Sequence, residues 1–130
     1  MSVGILLVTH GMLGEDMRHT ALQMLGKLPL PTEAVSVHLN SDPSKVRDAI
    51  GDRLTRLDAG EGVLVMTDAY GSTPSNVAVQ ASHGHDCLVV SGLNVPMLIR
   101  VYNYPQAPLG ELARIAHDGG RRGIIVCERQ

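Results

Sequence analysis

The feature that most constrains the fold is a series of short apolar runs separated by helix-length gaps. The runs fall at Val3–Val8, Ala34–Leu39, Gly62–Thr67, Cys87–Ser91 and Gly123–Cys127. Runs of this length between turn residues suit strands. All but the second are nearly continuous in Val, Ile and Leu, the pattern of strands covered on both faces. The second alternates, with Val35, Val37 and Leu39 apolar and Ser36 and His38 polar. That places it nearer a sheet edge, with His38 toward solvent. The gaps carry helical periodicity. Leu13, Met17, Ala21, Met24 and Leu28 step by three or four and form one apolar face. Asp42-Pro43 reads as an N-cap with Pro at the first helical position, before the face Val46, Ile50, Leu54 and Leu57. Thr73-Pro74 and Val95-Pro96 open two more helices. Leu109, Leu112, Ala113 and Ala116 make a fifth, with Gly119-Gly120 expected as its C-terminal stop.

Strands alternating with helices predict an α/β fold: an open, doubly wound, mostly parallel sheet, flavodoxin-like in outline. The 130 residues form a single domain, with no repeat and no linker. In such a sheet, ligands bind beyond the carboxyl ends of the strands. Three segments are expected to meet there: His10-Gly11-Met12 after the first run, "TDAYGSTPSN" after the third and "SGLNVP" after the fourth.

Composition narrows the function classes. With 44% hydrophobic and 18% charged residues the chain is a folding globule, not a disordered one. The net charge of -2 implies no attraction to nucleic acid. Three Tyr with no Phe or Trp do not make a base-stacking platform. No apolar run approaches a membrane span. Two cysteines without a CxxC suggest no disulfide framework. The expected location is the cytoplasm, and the protein is not expected to be membrane-embedded.

The segment "DAYGSTPSN" holds the most chemistry. Asp68 follows the strand directly, Gly71 permits a tight turn, and Ser72 and Thr73 offer hydroxyls. Pro74 opens a helix whose first N–H groups lack intrahelical partners. Free N–H groups at a helix start, flanked by small residues, suit a phosphate. An Asp facing one nitrogen of His10 would fix the tautomer and leave the other as a nucleophile. Taken together, these parts read as a site that carries a phosphoryl group on histidine. Taken singly, each has a plainer use, since strand-end His and Asp residues commonly cap turns. "HGHDC" offers His83, His85 and Cys87, but zinc sites have other spacings and a fourth ligand is missing. It is read as a polar turn, and no metal or cofactor is expected. His19 and His117 are read as surface or boundary residues and Cys127 as a core thiol. A Walker A motif and a G-x-G-x-x-G are both absent.

These motifs also carry a resemblance. "THG" after the first strand, "D-x-x-G-S-T-P-x-N" after the third and "GLNVPML" after the fourth resemble the IIA component of the mannose-type sugar phosphotransferase system. The order and spacing match over almost the whole chain. A phosphocarrier of dihydroxyacetone kinases shares the fold and the first histidine, but "GSTPSN" and "GLNVPML" are closer to the mannose type. The resemblance implies that His10 accepts phosphate from an HPr-type phosphocarrier, on Nε2, and passes it to a IIB component. It implies that Asp68 orients His10 and that Gly11, Gly71, Ser72 and Thr73 sit at the phosphate. It further implies a homodimer in which the C-terminal strand, Gly123–Cys127, is exchanged between subunits. Many relatives continue into a IIB domain, so here the IIB acceptor is expected to be a separate polypeptide. Two alternatives stand beside this expectation. One is a regulatory phosphoprotein of an incomplete phosphotransferase system. The other is a flavodoxin-like module in which His10 only contacts a small anionic ligand.

Overall fold

The computed structural model describes residues 2–129. Strands β1 (Gly4–His10), β2 (Thr32–Val37), β3 (Val63–Thr67) and β4 (Cys87–Ser91) alternate with helices α1 (Leu13–Leu25), α2 (Pro43–Leu57), α3 (Thr73–Ala81) and α4 (Val95–Tyr102). A fifth helix, α5 (Leu109–Arg122), follows α4. The strands form one parallel sheet in the order β2-β1-β3-β4. The single α/β domain with a doubly wound parallel sheet is therefore as expected.

Alternation along the strands divides the core into two layers. Leu6, Val8, Val35, Val37, Val63 and Val65 pack under α2 and α3. Ile5, Leu7, Leu64 and Met66 pack on the other face against α1, α4 and α5. Both faces of β1 and β3 are buried, which explains their unbroken apolar sequence. Helix starts are set locally. The Asp42 carboxylate accepts the Ser44 N–H at 3.0 Å, and the Asn94 side chain accepts the Met97 N–H at 2.9 Å.

Four expectations need correction. First, β2 begins at Thr32 and ends at Val37, so Leu39 lies beyond it and is fully exposed. Second, α1 stops at Leu25, short of Leu28, and its expected apolar positions Leu13 and Met24 are 45% and 61% exposed. Third, Gly119-Gly120 does not end α5, which runs on to Arg122. Both glycines are buried where α5 lies on α4: a Cβ at Gly119 would come within 2.6 Å of the Arg100 side chain, and one at Gly120 within 2.9 Å of Met97. Close helix approach, not chain termination, accounts for them.

Fourth, Gly123–Cys127 is not a strand of this chain's own sheet. Ile124, Ile125 and Val126 are 75%, 74% and 87% exposed, and Cys127 is exposed rather than a core thiol. Lacking a neighbour to pair with, the segment has no means of becoming a strand.

Candidate functional site

The alternation of β1 decides where His10 points. Leu6 and Val8 face the α2–α3 layer, so His10 leaves the sheet on that side. Thr9 faces the other layer, where its Oγ1 accepts the Gly14 N–H at 2.7 Å and so anchors the start of α1. This anchoring role of Thr9 was not visible in the motif, because a buried Thr in a strand looks like any β-branched core residue.

His10 pairs with Val37 across the β1–β2 ladder, and Gly11 N–H continues it by donating to Val37 O at 2.9 Å. On the other side β3 is in register to Val8↔Thr67, so Asp68 emerges alongside His10. Asp68 Oδ2 accepts the His10 backbone N–H at 3.0 Å and lies 2.8 Å from His10 Nδ1. Asp68 Oδ1 accepts the Ala69 N–H at 3.1 Å. Burial alone would push the Asp68 carboxyl up, but the hydrogen bonds from the His10 ring and backbone outweigh it and hold the carboxyl below its ordinary value. An ionised carboxylate only accepts hydrogen bonds, so the shared proton belongs to Nδ1. In the neutral ring that leaves the lone pair on Nε2; the His10 side chain is 57% exposed and that of Asp68 only 11%.

The "GST" segment is a turn folded on itself. Gly71 has φ +79° with nothing within 4 Å of a hypothetical Cβ, so the backbone angle, not space, requires glycine. Ser72 caps α3 by position only: its hydroxyl donates to Ala69 O at 2.5 Å and makes no cap bond to the first-turn amides. That helix start therefore keeps its amide dipoles uncompensated. Gly11, at φ +49°, makes the corresponding turn after β1.

Beside the imidazole opens a cavity of about 500 Å³. It is lined by His10 and Gly11, by Thr73 and Val77 of α3, by Val46 of α2, and by residues of the loop after β2. Of the expected site residues, His10, Gly11 and Thr73 share this cavity, Asp68 holds the ring from the side, and Gly71 and Ser72 shape the turn before Thr73. The third expected segment, "SGLNVP", lies behind the site. Gly92 and Leu93 donate to Thr67 O, each at 3.0 Å, and Asn94 Nδ2 is turned to Gly120 O at 3.1 Å. Beneath α3, Thr67 Oγ1 and Ser91 Oγ are 2.6 Å apart, and the buried Ser75 hydroxyl is 3.4 Å from Ser91 Oγ. This hydroxyl cluster ties the start of α3 to the ends of β3 and β4.

The wall formed by His38, Leu39, Ser41 and Pro43 is an addition the motifs did not contain. The available signal was topological, since in a doubly wound sheet the strand beside β1 ends next to the ligand crevice. At the opposite end of β4, His83 is exposed, and His85 and Cys87 are partly covered. Among the described residues no group of three or more His, Cys, Asp or Glu side chains could hold a metal ion. Among them, too, no helix is long and apolar enough to cross a membrane.

Comparison with known proteins places the chain in a family. Residues 4–115 match the EIIA-man family, described as the PTS system fructose IIA component. The chain is similar to the PTS system mannose-specific EIIAB component of Escherichia coli (strain K12), with 27% identity covering 95% of this chain and 39% of that protein. It therefore spans about two-fifths of that relative's length. It is also similar to the transcriptional regulatory protein LevR of Bacillus subtilis, with 26% identity covering 78% of this chain and 11% of that protein. Among solved structures, the mannose/sorbose-specific IIA subunit of the phosphotransferase system from Enterococcus faecalis superposes with a TM-score of 0.88 at 26% identity, covering 100% of this chain and 98% of the other. With the match running from β1 into α5, the chain belongs to the EIIA-man family of phosphotransferase-system IIA components.

Proposed function

We propose that this domain is a phosphoryl carrier whose acceptor is Nε2 of His10. The observation that carries this reading is the 2.8 Å contact of His10 Nδ1 with an ionised, largely buried Asp68, which leaves Nε2 free and accessible. In the forward step Nε2 attacks the phosphorus of a phosphohistidine on an HPr-type donor. The new N–P bond forms as the donor's N–P bond breaks, and the donor ring departs neutral. The His10 ring retains its Nδ1 proton and becomes cationic, and the Asp68 carboxylate stabilises that charge. The uncapped amides at the start of α3, reached through Gly71, Ser72 and Thr73, face the transferring oxygens along with the turn at Gly11.

A protein donor fits the surroundings better than a small one. Met12, Leu39 and Tyr70, on three loops at this end of the sheet, are 54%, 101% and 91% exposed. Large apolar side chains left in water around a reactive group mark a protein-docking surface. Onward transfer goes to a IIB component in the cytoplasm. The likeness to LevR supports a second reading, in which the phosphorylated domain regulates a partner instead of feeding sugar uptake. The chemistry at His10 is the same in both. The carrier itself is a homodimer in which the tail after α5 adds to the partner's β4. The exposed Ile124, Ile125 and Val126 and the unpaired outer edge of β4 support this exchange.

The test is phosphorylation with enzyme I, HPr and phosphoenolpyruvate, with the adduct mapped by mass spectrometry. One acid-labile, alkali-stable phosphate on His10 is expected. Label on another residue, or undiminished label in His10→Ala, overturns the assignment.

A further inference from the structure

The cavity beside His10 has a second histidine in its wall, His38. The backbone around it is fixed. His10 and Val37 are paired in the sheet, and Gly11 N–H donates to Val37 O at 2.9 Å, so His38 follows a residue clamped to the reactive strand end. The turn after it closes with two bonds: His38 N–H to Ser41 Oγ at 2.9 Å and Ser41 N–H to His38 O at 3.0 Å. Both use the His38 backbone, and among the described residues its ring makes no hydrogen bond. His38 is exposed.

The charge of the site gives this placement a meaning. A phosphoryl group on Nε2 of His10 brings about two negative charges into the cavity. No Lys or Arg lines that cavity. Thr73 and Ser41 offer hydroxyls there, and the remaining lining side chains, Val37, Leu39, Pro43, Val46 and Val77, are apolar. Apart from His10, His38 is the one lining residue with a ring N–H to give and the capacity to carry positive charge. A hydrogen bond donated to an oxyanion is stronger than one between neutral groups.

Resting on the carrier reading above, we propose that His38 donates a hydrogen bond to the phosphoryl group on His10 and thereby sets how tightly this domain holds its phosphate. Its role is in retention and partition of the group, not in activating the nucleophile, which Asp68 already orients. The carried group is thus held from three elements: the end of β1, the start of α3 and the turn after β2.

The experiment compares the full chain with His38→Ala and His38→Gln. Each protein is phosphorylated by enzyme I, HPr and phosphoenolpyruvate and freed of donors. The half-life of the phosphate at neutral pH and its equilibrium partition with HPr are then measured, with circular dichroism as the folding control and the phosphorus NMR shift as a local probe. His38→Ala is expected to lose phosphate faster and to shift the partition toward HPr, each by about ten-fold, the worth of one charge-assisted hydrogen bond. His38→Gln, which keeps an N–H donor, is expected to recover part of both and to move the phosphorus resonance back toward the wild-type position. A folded His38→Ala protein with wild-type half-life and partition overturns the role of His38 while the carrier reading stands. Failure of the wild-type chain to accept phosphate on His10 overturns both.

Discussion

At the scale of single residues, the site depends on which nitrogen of His10 holds the proton. Asp68 decides this by accepting from Nδ1 and from the backbone N–H of the same residue. In the proposed carrier, Asp68→Asn would keep the shape but remove the charge that balances a phosphorylated, cationic ring. Single-turnover phosphorylation is expected to slow by about 10- to 100-fold, the equivalent of a charge-assisted bond worth about 1.5–3 kcal/mol. Rapid-quench rates with phospho-HPr would test this, and equal rates would remove Asp68 from the mechanism. The pH dependence has a definite sign. The Asp68 carboxyl is held below its ordinary value of 3.8 in the folded chain. Its contribution to stability is therefore complete above that value and lost as the pH falls through the lowered one. The stability difference between wild type and Asp68→Asn, measured by denaturation, should shrink as the pH is taken below about 4 and Asp68 gains its proton. His10 and Asp68 were both legible in the sequence, since Asp68 directly follows an apolar run and His10 stands one residue beyond another. Thr9 and His38 were not, since their roles depend on neighbours the chain acquires only on folding: a helix amide for Thr9 and a shared cavity for His38.

At the scale of elements, glycines in two helices separate propensity from packing. Gly51 lies within α2, and a Cβ there would meet nothing within 4 Å. Gly51→Ala is expected to raise stability by about 0.5–1 kcal/mol, the helix preference of alanine. Gly119 lies within α5, where the same Cβ would come within 2.6 Å of Cβ and Cγ of Arg100 on α4. Neither atom is the free end of a flexible side chain, so α4 and α5 must separate. Gly119→Ala is expected to cost about 1–3 kcal/mol despite the propensity gain. Urea denaturation of the two variants would check the opposite signs. The same glycines misled the sequence reading, because a Gly pair after an apolar periodicity has the signature of a helix stop. The two sheet edges also differ. On β2, the Arg18 Nε–H and an Arg53 Nη1–H reach the carbonyls of Thr32 and Ala34, and Arg53 and Arg56 pair with Glu33. The Arg56 hydrogen bond acts first in holding the Glu33 carboxyl below its ordinary value, against burial, with Arg56, Arg53 and Arg18 charges adding to it. Carbonyls occupied in this way resist further strand addition. On β4, Leu88 is 41% exposed and Cys87, Val89, Val90 and Ser91 are only partly covered.

At the scale of the whole molecule, this asymmetry says where a second copy would attach. One sheet edge is dressed with arginines, the other is bare, and the apolar tail after α5 has no seat within its own chain. Full-length protein is expected to sediment as a dimer. A chain truncated after Gly123 is expected to fold, because residues 124–129 contribute nothing to either core layer, yet to sediment as a monomer. A full-length monomer, or a truncated dimer, would show that the tail does not join the subunits. By itself the sequence determined the α/β class, the strands of the parallel sheet, most helix starts and the pair His10–Asp68. Each of these follows from local patterns: apolar runs, N-cap residues and the chemistry found at strand ends. Only the tertiary structure decided that Gly119 and Gly120 are packing sites, that α1 exposes Leu13 and Met24, that His38 lines the cavity beside His10, and that Gly123–Cys127 is left without a partner in its own sheet. The physical reason is common to all four. Side chains are specified locally, but what they pack against is set by elements distant in sequence. Packing, unlike periodicity, is a property of pairs of surfaces.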